Sequence, residues 1–126
     1  MKPKILLVED SLEQIVVVKA TLKHAYEVEV CQTVAEAHLA LERRRPDLLL
    51  LDAGLPDGSG YLFCDELSRE SHKEKVPIIF LTGRSATKEK VQAFNAGAHD
   101  FISKPCQPSE LLSRVNAHFR RVGGYK

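Results

Sequence analysis

Short apolar segments alternate with longer mixed segments along the chain. Three of the short segments are apolar at successive positions, which is typical of strands buried on both faces of a parallel sheet. The mixed segments are long enough for helices with one apolar face. This alternation predicts an α/β fold of the (βα)₅ type, a parallel sheet with helices on both faces. The predicted strands are Ile5–Val8, Val28–Cys31, Leu48–Leu51, Ile78–Leu81 and Phe101–Ile102, and the predicted helices are Ser11–His24, Thr33–Arg44, Ser59–Ser71, Ala86–Ala96 and Pro108–Val122.

Polar residues mark the starts of four of these helices. A Ser or Thr hydroxyl at the N-cap can accept a hydrogen bond from a backbone N–H group of the first turn. Gly97 stands where the fourth helix should end, because glycine readily adopts the left-handed conformation found there. The predicted N-caps are Ser11, Thr33, Ser59 and Ser109.

The segment Ile15–Val18 consists of four β-branched residues, which local propensity would place in a strand. We predict a helix, because a strand here would break the alternation. Four successive helical residues point in directions about 100° apart, so they cannot all face the sheet. At least one of these side chains is therefore expected to be exposed, either by chance or as part of a docking surface.

Length and charge limit the classes of protein to which this chain can belong. Its 126 residues suffice for one domain, which we expect to span residues 1–122, with 123–126 as a flexible tail or the start of a linker. The net charge of +1 gives no electrostatic reason to expect direct binding to nucleic acid or a membrane. No apolar stretch reaches the length of a membrane span.

The cysteines and the N-terminal segment both favour a cytoplasmic protein. Cys31, Cys64 and Cys106 are odd in number and far apart, as expected for reduced thiols, and none has metal-ligand spacing. The first apolar run stops at two acidic residues, so we do not expect a signal peptide.

Polar side chains follow four of the five predicted strands. Glu9 and Asp10 follow the first strand, Asp52 the third, Thr82 the fourth and Lys104 the fifth. Each alone is most often a turn former or a surface group, but parallel strands would bring all five to one edge, where such sheets bind ligands. Three close carboxylates need a cation, and their hard oxygen atoms suit Mg²⁺. Asp52 could then act as a nucleophile towards phosphorus, with Thr82 and Lys104 contacting the phosphoryl oxygen atoms.

The spacing of these residues matches a known family. From near Lys4 to about Arg121 the chain resembles the bacterial response-regulator receiver domain, which acts in two-component signalling. The chemotaxis receiver of that family has the flavodoxin-like strand order 2-1-3-4-5, so the resemblance implies this order and a three-layer sandwich. The matching segments are ILLVED, DLLLLDAGLPDGSG, VPIIFLTG and AFNAGAHDFISKP.

The resemblance implies a role for each residue around the metal. Asp52 would be the phosphoacceptor and a metal ligand. Asp10 would bind Mg²⁺ directly, and Glu9 would act mainly through metal-bound water. The backbone carbonyl of Gly54 would be a further ligand. No organic cofactor is implied.

The resemblance also implies roles for the residues that sense the phosphoryl group. Lys104 would pair with it, and Thr82 would donate a hydrogen bond to one of its oxygen atoms. The Lys104–Pro105 peptide is expected in the cis form. Phe101 occupies the place of an aromatic switch residue, although a permanent core position is the competing interpretation. The surface that changes would comprise the fourth helix, the fifth strand and the fifth helix.

The implied function is a phosphorylation-dependent switch rather than an enzyme with an external substrate. Its phosphoryl donor would be a histidine kinase or a histidine phosphotransfer protein. It would act on a downstream protein, through an output domain beyond this chain, or by forming a phosphorylation-dependent dimer. Gly54 and Arg84 are expected to influence the lifetime of the phosphorylated state.

Two other functions are weaker. A phosphatase or mutase with an aspartyl-phosphate intermediate would resemble the haloacid-dehalogenase group. Such enzymes place the nucleophile after the first strand and a second Asp two residues later, where this chain has Gly54. A flavin-binding protein would need a phosphate-binding loop after the first strand, where Glu9 and Asp10 would repel a phosphate.

Overall fold

A five-stranded parallel sheet forms the centre of the computed structural model, which describes residues 1–70, 76–83 and 87–123. The strand order is β2-β1-β3-β6-β7, which confirms the order 2-1-3-4-5 expected for the five sheet strands. The strands are β1 (Lys4–Val8), β2 (Glu27–Cys31), β3 (Leu48–Asp52), β4 (Gly54–Leu55), β5 (Gly58–Ser59), β6 (Ile78–Thr82) and β7 (Asp100–Ser103).

In the described part of the chain, four helices connect strands of the sheet and a fifth helix follows β7. Ser11, Thr33 and Ser59 cap the first three helices, as predicted. The prediction for Ser109 was wrong, because the last helix already begins at Pro108; proline suits that first position because it has no N–H group to leave unpaired. The helices are α1 (Leu12–Leu22), α2 (Val34–Arg43), α3 (Gly60–Arg69), α4 (Thr87–Asn95) and α5 (Pro108–Gly123).

The sheet separates two apolar layers, as a three-layer sandwich requires. Alternate residues of each strand point to opposite faces. On one face, Ile5 and Leu7 of β1 pack with side chains of α1 and α5. On the other, Leu6 and Val8 pack with side chains of α2, α3 and α4. Strands β1, β3 and β6 are buried along their whole length, which explains why their sequences are continuously apolar.

The β-branched segment of α1 behaves as its helical geometry predicts. Ile15 and Val18 are buried, whereas the Val16 side chain is 66% exposed. Leu12, one turn earlier, is also exposed. This end of α1 therefore has apolar side chains on its outer face. None of the described helices is long and apolar enough to span a membrane.

A small hairpin between β3 and α3 was not predicted. Strands β4 and β5 pair antiparallel, with Gly54 opposite Ser59 and Leu55 opposite Gly58. The backbone N–H of Gly60 donates to the carbonyl of Ala53 at 2.9 Å and closes the base of this loop. A Cβ atom at Gly60 would lie 2.2 Å from the carbonyl oxygen of Asp52, so only glycine fits there.

Candidate functional site

The carboxyl edge of the sheet brings together the five residues predicted to form the site. Asp52 and Thr82 are the last residues of β3 and β6. Glu9 and Asp10 directly follow β1, and Lys104 directly follows β7. Adjacent strands β1, β3, β6 and β7 thus supply one group of side chains, because parallel strands end at the same edge.

Lys104 lies between two of the carboxylates. Its Nζ atom is 2.7 Å from Glu9 Oε1 and 3.2 Å from Asp52 Oδ1. At 2.7 Å, the contact with Glu9 is a close ion pair, and the Glu9 carboxylate is fully buried. The backbone N–H of Lys104 donates to the Thr82 carbonyl at 2.7 Å, and the Lys104–Pro105 peptide is cis, as predicted. The lysine is therefore fixed both by its backbone and by its charge.

The acidic residues differ in their exposure to water. Glu9 is fully buried, and its Oε2 atom accepts a hydrogen bond from the backbone N–H of Ser11 at 3.0 Å. Asp52 is 7% exposed, whereas Asp10 is exposed. Oxygen atoms of Glu9, Asp10 and Asp52 all lie within 4.8 Å of one another.

This donor set fits a divalent cation. Three ionised carboxylates carry three negative charges, and Lys104 compensates for only one. A hard divalent ion would balance the remainder, and Mg²⁺ commonly binds through one or two carboxylates and several water molecules. The exposed position of Asp10 leaves such an ion open to water on one side.

The surroundings of Asp52 make its ionisation unfavourable. Burial, reinforced by the nearby charge of Glu9, raises the pKa of Asp52 from 3.8 to about 6, although Lys104 opposes this shift. For Lys104, burial lowers the pKa, but the contacts with Glu9 and Asp52 outweigh burial and raise it. The lysine therefore stays charged at neutral pH, and the Asp52 carboxylate is ionised less readily than that of an ordinary aspartate.

A cavity of about 610 Å³ opens above Asp52. Tyr61 of α3 donates a hydrogen bond to Glu89 of α4 at 3.0 Å, and both residues line the cavity. Sequence reasoning did not identify this pair, because no local pattern links the starts of the two helices. A Cβ atom at Gly54 or Gly83 would have no neighbour within 4 Å, so both glycines, which also line this cavity, leave open space near Asp52.

Phe101 lies in the interior on β7, next to Phe80 of β6. It is 7% exposed and belongs to the apolar layer that contains α2, α3 and α4. Lys90 of α4 approaches the ring, with Nζ 5.8 Å from its centroid. This inward position is compatible with both a switch and a permanent core residue. Arg84, predicted to influence the phosphorylated state, lies outside the described residues.

Comparison with known proteins identifies the family. The family model described as "Response regulator receiver domain" matches residues 5–116, most of the chain. The chain belongs to the response-regulator receiver family. Members of this family are signalling proteins of two-component systems, and they bind Mg²⁺ at an acidic pocket.

Several relatives of this receiver domain are transcriptional regulators by name. It is 39% identical over 123 residues to the phosphate regulon transcriptional regulatory protein PhoB of Rhizobium meliloti, covering 97% of this chain and 54% of that protein. It is 38% identical over 122 residues to the regulatory protein VanR of Enterococcus faecium, covering 96% and 52%. The chain thus spans about half the length of these curated relatives.

Solved structures support the same fold. A putative response regulator from Chloroflexus aurantiacus superposes with a TM-score of 0.87 at 30% identity, covering 93% of this chain and 97% of that chain. The chemotaxis protein CheY4 of Vibrio cholerae superposes with a TM-score of 0.84 at 29% identity, covering 93% and 98%.

The raised pKa of Asp52 predicts that Asp52→Asn stabilises the metal-free receiver domain at neutral pH. Because the folded-state pKa of about 6 exceeds the ordinary 3.8, ionisation of Asp52 reduces the free energy of unfolding as pH rises through this window. Removing the charge should increase the free energy of unfolding by roughly 1–3 kcal/mol at pH 7.5. The gain should shrink towards pH 4, where Asp52 is protonated. Urea unfolding in EDTA at both pH values tests this.

The matched control for this prediction is Asp65→Asn, which removes a partly exposed carboxylate that pairs with Arg69 away from the site. Its effect on unfolding should be small. A stabilisation by Asp52→Asn of equal size at both pH values would contradict the electrostatic explanation.

Proposed function

We propose that this receiver domain is a phosphorylation switch in which Asp52 accepts a phosphoryl group from a phosphohistidine. The donor is a histidine kinase or a histidine phosphotransfer protein. The observation that carries this proposal is the position of Asp52 at the end of β3, with carboxylate oxygen atoms of Glu9 and Asp10 within 4.8 Å and Lys104 Nζ at 3.2 Å. No such arrangement is needed to stabilise the fold, since it concentrates unfavourable charge.

The proposed reaction uses the groups at this edge together with Mg²⁺. An Asp52 carboxylate oxygen attacks phosphorus, the P–N bond to the histidine breaks, and its electron pair remains on the imidazole. Lys104 then contacts the transferred group as a point charge, and Thr82 donates a hydrogen bond to it. The chain would thus catalyse only its own phosphorylation and the later hydrolysis, whose rate would depend on Gly54 and Arg84.

Three groups are proposed to hold Mg²⁺ directly. They are the carboxylates of Asp10 and Asp52 and the backbone carbonyl of Gly54, while Glu9 acts through metal-bound water. When bound, the ion would neutralise the carboxylates and the negative charge on the phosphoryl oxygen atoms. Glu9 keeps its side chain in place through Ser11 and Lys104, so it can orient water without moving.

The output is proposed to be a change of the α4-β7-α5 surface. Thr82 would move towards the phosphoryl group, and Phe101 would fill the space it leaves. Two features support this route. Phe101 lies next to Phe80, which precedes Thr82 by two residues in β6, and Lys90 of α4 places its ammonium group near the Phe101 ring. Because phenylalanine has no hydroxyl group, the switch would work by packing alone.

The partner downstream would read this surface. We propose a protein target, an output domain in a longer protein, or a phosphorylation-dependent dimer. Relatives named as transcriptional regulators, which are about twice as long as the matched segment, support the output domain. Residues 1–122 would form the receiver unit, and its three buried free thiols suit a cytoplasmic location.

Acetyl phosphate tests the acceptor directly. Wild-type protein with Mg²⁺ should gain one phosphoryl group by intact-protein mass spectrometry, whereas Asp52→Asn should gain none because an amide is not a nucleophile here. Asp65→Asn serves as the control and should be labelled normally. EDTA should prevent labelling of the wild type. Equal labelling of wild type and Asp52→Asn would refute the assignment of the acceptor.

Phe101→Leu tests the switch. It should be labelled at Asp52 but show smaller phosphorylation-induced shifts of backbone amide resonances in α4, β7 and α5 than the wild type. Phe63→Leu, another buried phenylalanine, is the control and should keep the wild-type shifts. If the shifts in Phe101→Leu equalled those of the wild type, Phe101 would be a permanent core residue.

We also propose that the exposed apolar face of α1, which includes Leu12 and Val16, docks the phosphoryl donor, and a Val16 variant tests this. Val16→Asp should slow phosphotransfer from a phosphorylated kinase or phosphotransfer protein by about tenfold, the effect of losing roughly 1.4 kcal/mol of binding. Labelling by acetyl phosphate should not change. Leu39→Asp places the same charge on α2, at a side chain that is 57% exposed, and should transfer normally. Unchanged protein-to-protein transfer in Val16→Asp would rule out this docking role.

A further inference from the structure

The carboxylate of Asp57 binds the N-terminus of a helix that is distant in sequence. Its Oδ1 atom accepts a hydrogen bond from the backbone N–H of Val34 at 2.8 Å, and Oδ2 accepts one from Ala35 at 3.0 Å. These are the first two N–H groups of α2, which have no partner within the helix. The side-chain oxygen of Thr33, the N-cap, accepts a hydrogen bond from the N–H of Glu36 at 3.0 Å rather than from the N–H groups of Val34 and Ala35.

The charge of Asp57 suits this position. The two backbone hydrogen bonds lower the pKa of Asp57, so its carboxylate is ionised at neutral pH and both oxygen atoms can accept. A negative charge is also favourable at the positive end of a helix dipole. The loop also lies close to α2 at Gly58, where an added Cβ atom would be 3.5 Å from Val34 Cγ2.

Asp57 lies at the tip of the loop that follows Asp52. The base of that loop is closed by the hydrogen bond from Gly60 to Ala53, and its two short strands pair through Gly54 and Ser59. A two-stranded hairpin of this size is only marginally stable by itself. The tip therefore needs an external contact, and the hydrogen bonds to α2 supply it.

We propose that Asp57 is a positioning residue that fixes the Gly54 carbonyl for metal binding by anchoring the loop tip to α2. This inference rests on the proposed function, because it requires Mg²⁺ at the site formed by Asp10, Asp52 and Gly54. Mg²⁺ demands nearly ideal octahedral geometry, so a small displacement of one ligand weakens its binding. Asp52 is a residue of the central sheet and would stay in place without the anchor.

Titration calorimetry with Mg²⁺ tests the anchor without relying on phosphorylation. Asp57→Ala should raise the Kd for Mg²⁺ by about tenfold, the lower end of the usual effect of removing a partner of a metal ligand. Asp57→Asn should have an intermediate effect, because its amide oxygen can accept one of the two N–H groups but its NH₂ group cannot accept the other. At saturating Mg²⁺, Asp57→Ala should be labelled by acetyl phosphate at the wild-type rate.

Thr33→Ala is the matched control, because it removes a cap from the same helix and leaves the loop anchored. It should lower the melting temperature and leave the Kd for Mg²⁺ within twofold of the wild type. Equal weakening of Mg²⁺ binding in Thr33→Ala and Asp57→Ala would overturn the proposal, since helix stability would then explain the effect.

Three further results separate the possible failures. A wild-type Kd in Asp57→Ala would overturn the anchor and leave the proposed function intact. Labelling of Asp57→Ala that stays slow at saturating Mg²⁺ would also overturn the anchor, since the loss would then not lie in metal binding. A wild type that binds no Mg²⁺ would instead overturn the proposed function on which the inference rests.

Discussion

Close packing of three carboxylates at one edge of the sheet is the constraint on which the rest of the structure depends. Glu9 and Asp52 are buried, and Lys104 contacts both, but one lysine cannot balance the three acids. Water screens Asp10 much better than the other two, because only Asp10 is exposed. The fold thus keeps a local excess of negative charge that hydrophobic packing must offset.

That offset comes from the strands beneath the site. The residues of β1, β3 and β6 are buried on both faces, so the backbone that carries Glu9, Asp52 and Thr82 is held from both sides. Such a scaffold cannot relax to separate the charges, because packed cores resist small displacements. The unfavourable electrostatic energy is therefore relieved by any cation that binds and neutralises the carboxylates.

Much of this arrangement could be predicted from the sequence, because it depends on the pattern of apolar residues along the chain and on which polar residues follow each strand. Continuous apolar runs identified the central strands, and the first polar residue after each run identified Glu9, Asp52 and Thr82 as candidate site residues. The error at Ser109 arose because Pro108 satisfies the start of α5 by lacking a donor, which is a weaker sequence signal than a hydroxyl cap.

Features that depend on contacts between distant segments could not be predicted in this way. The Pro-Asp-Gly sequence around Asp57 indicates a turn, but nothing in it points to α2, whose bonded N–H group is 23 residues away. The Tyr61–Glu89 hydrogen bond is equally hidden, since it joins residues 28 positions apart. Only the three-dimensional arrangement of the loops at the sheet edge reveals such pairs.

Lys104 connects the charge balance to the movement that a switch requires. Its Nζ atom now lies closer to Glu9 than to Asp52, so it is shared between two acids. A phosphoryl group on Asp52 would carry more charge than the carboxylate and would draw Nζ towards itself. Because the backbone N–H of Lys104 is bonded to the Thr82 carbonyl, a shift of the lysine loop and a shift of Thr82 would be mechanically linked. A difference of a few kcal/mol between the contacts made in the two conformations is enough to shift the equilibrium from one to the other. Both Lys104 and Thr82 would contribute to this difference, because each would contact the phosphoryl group in only one of the conformations.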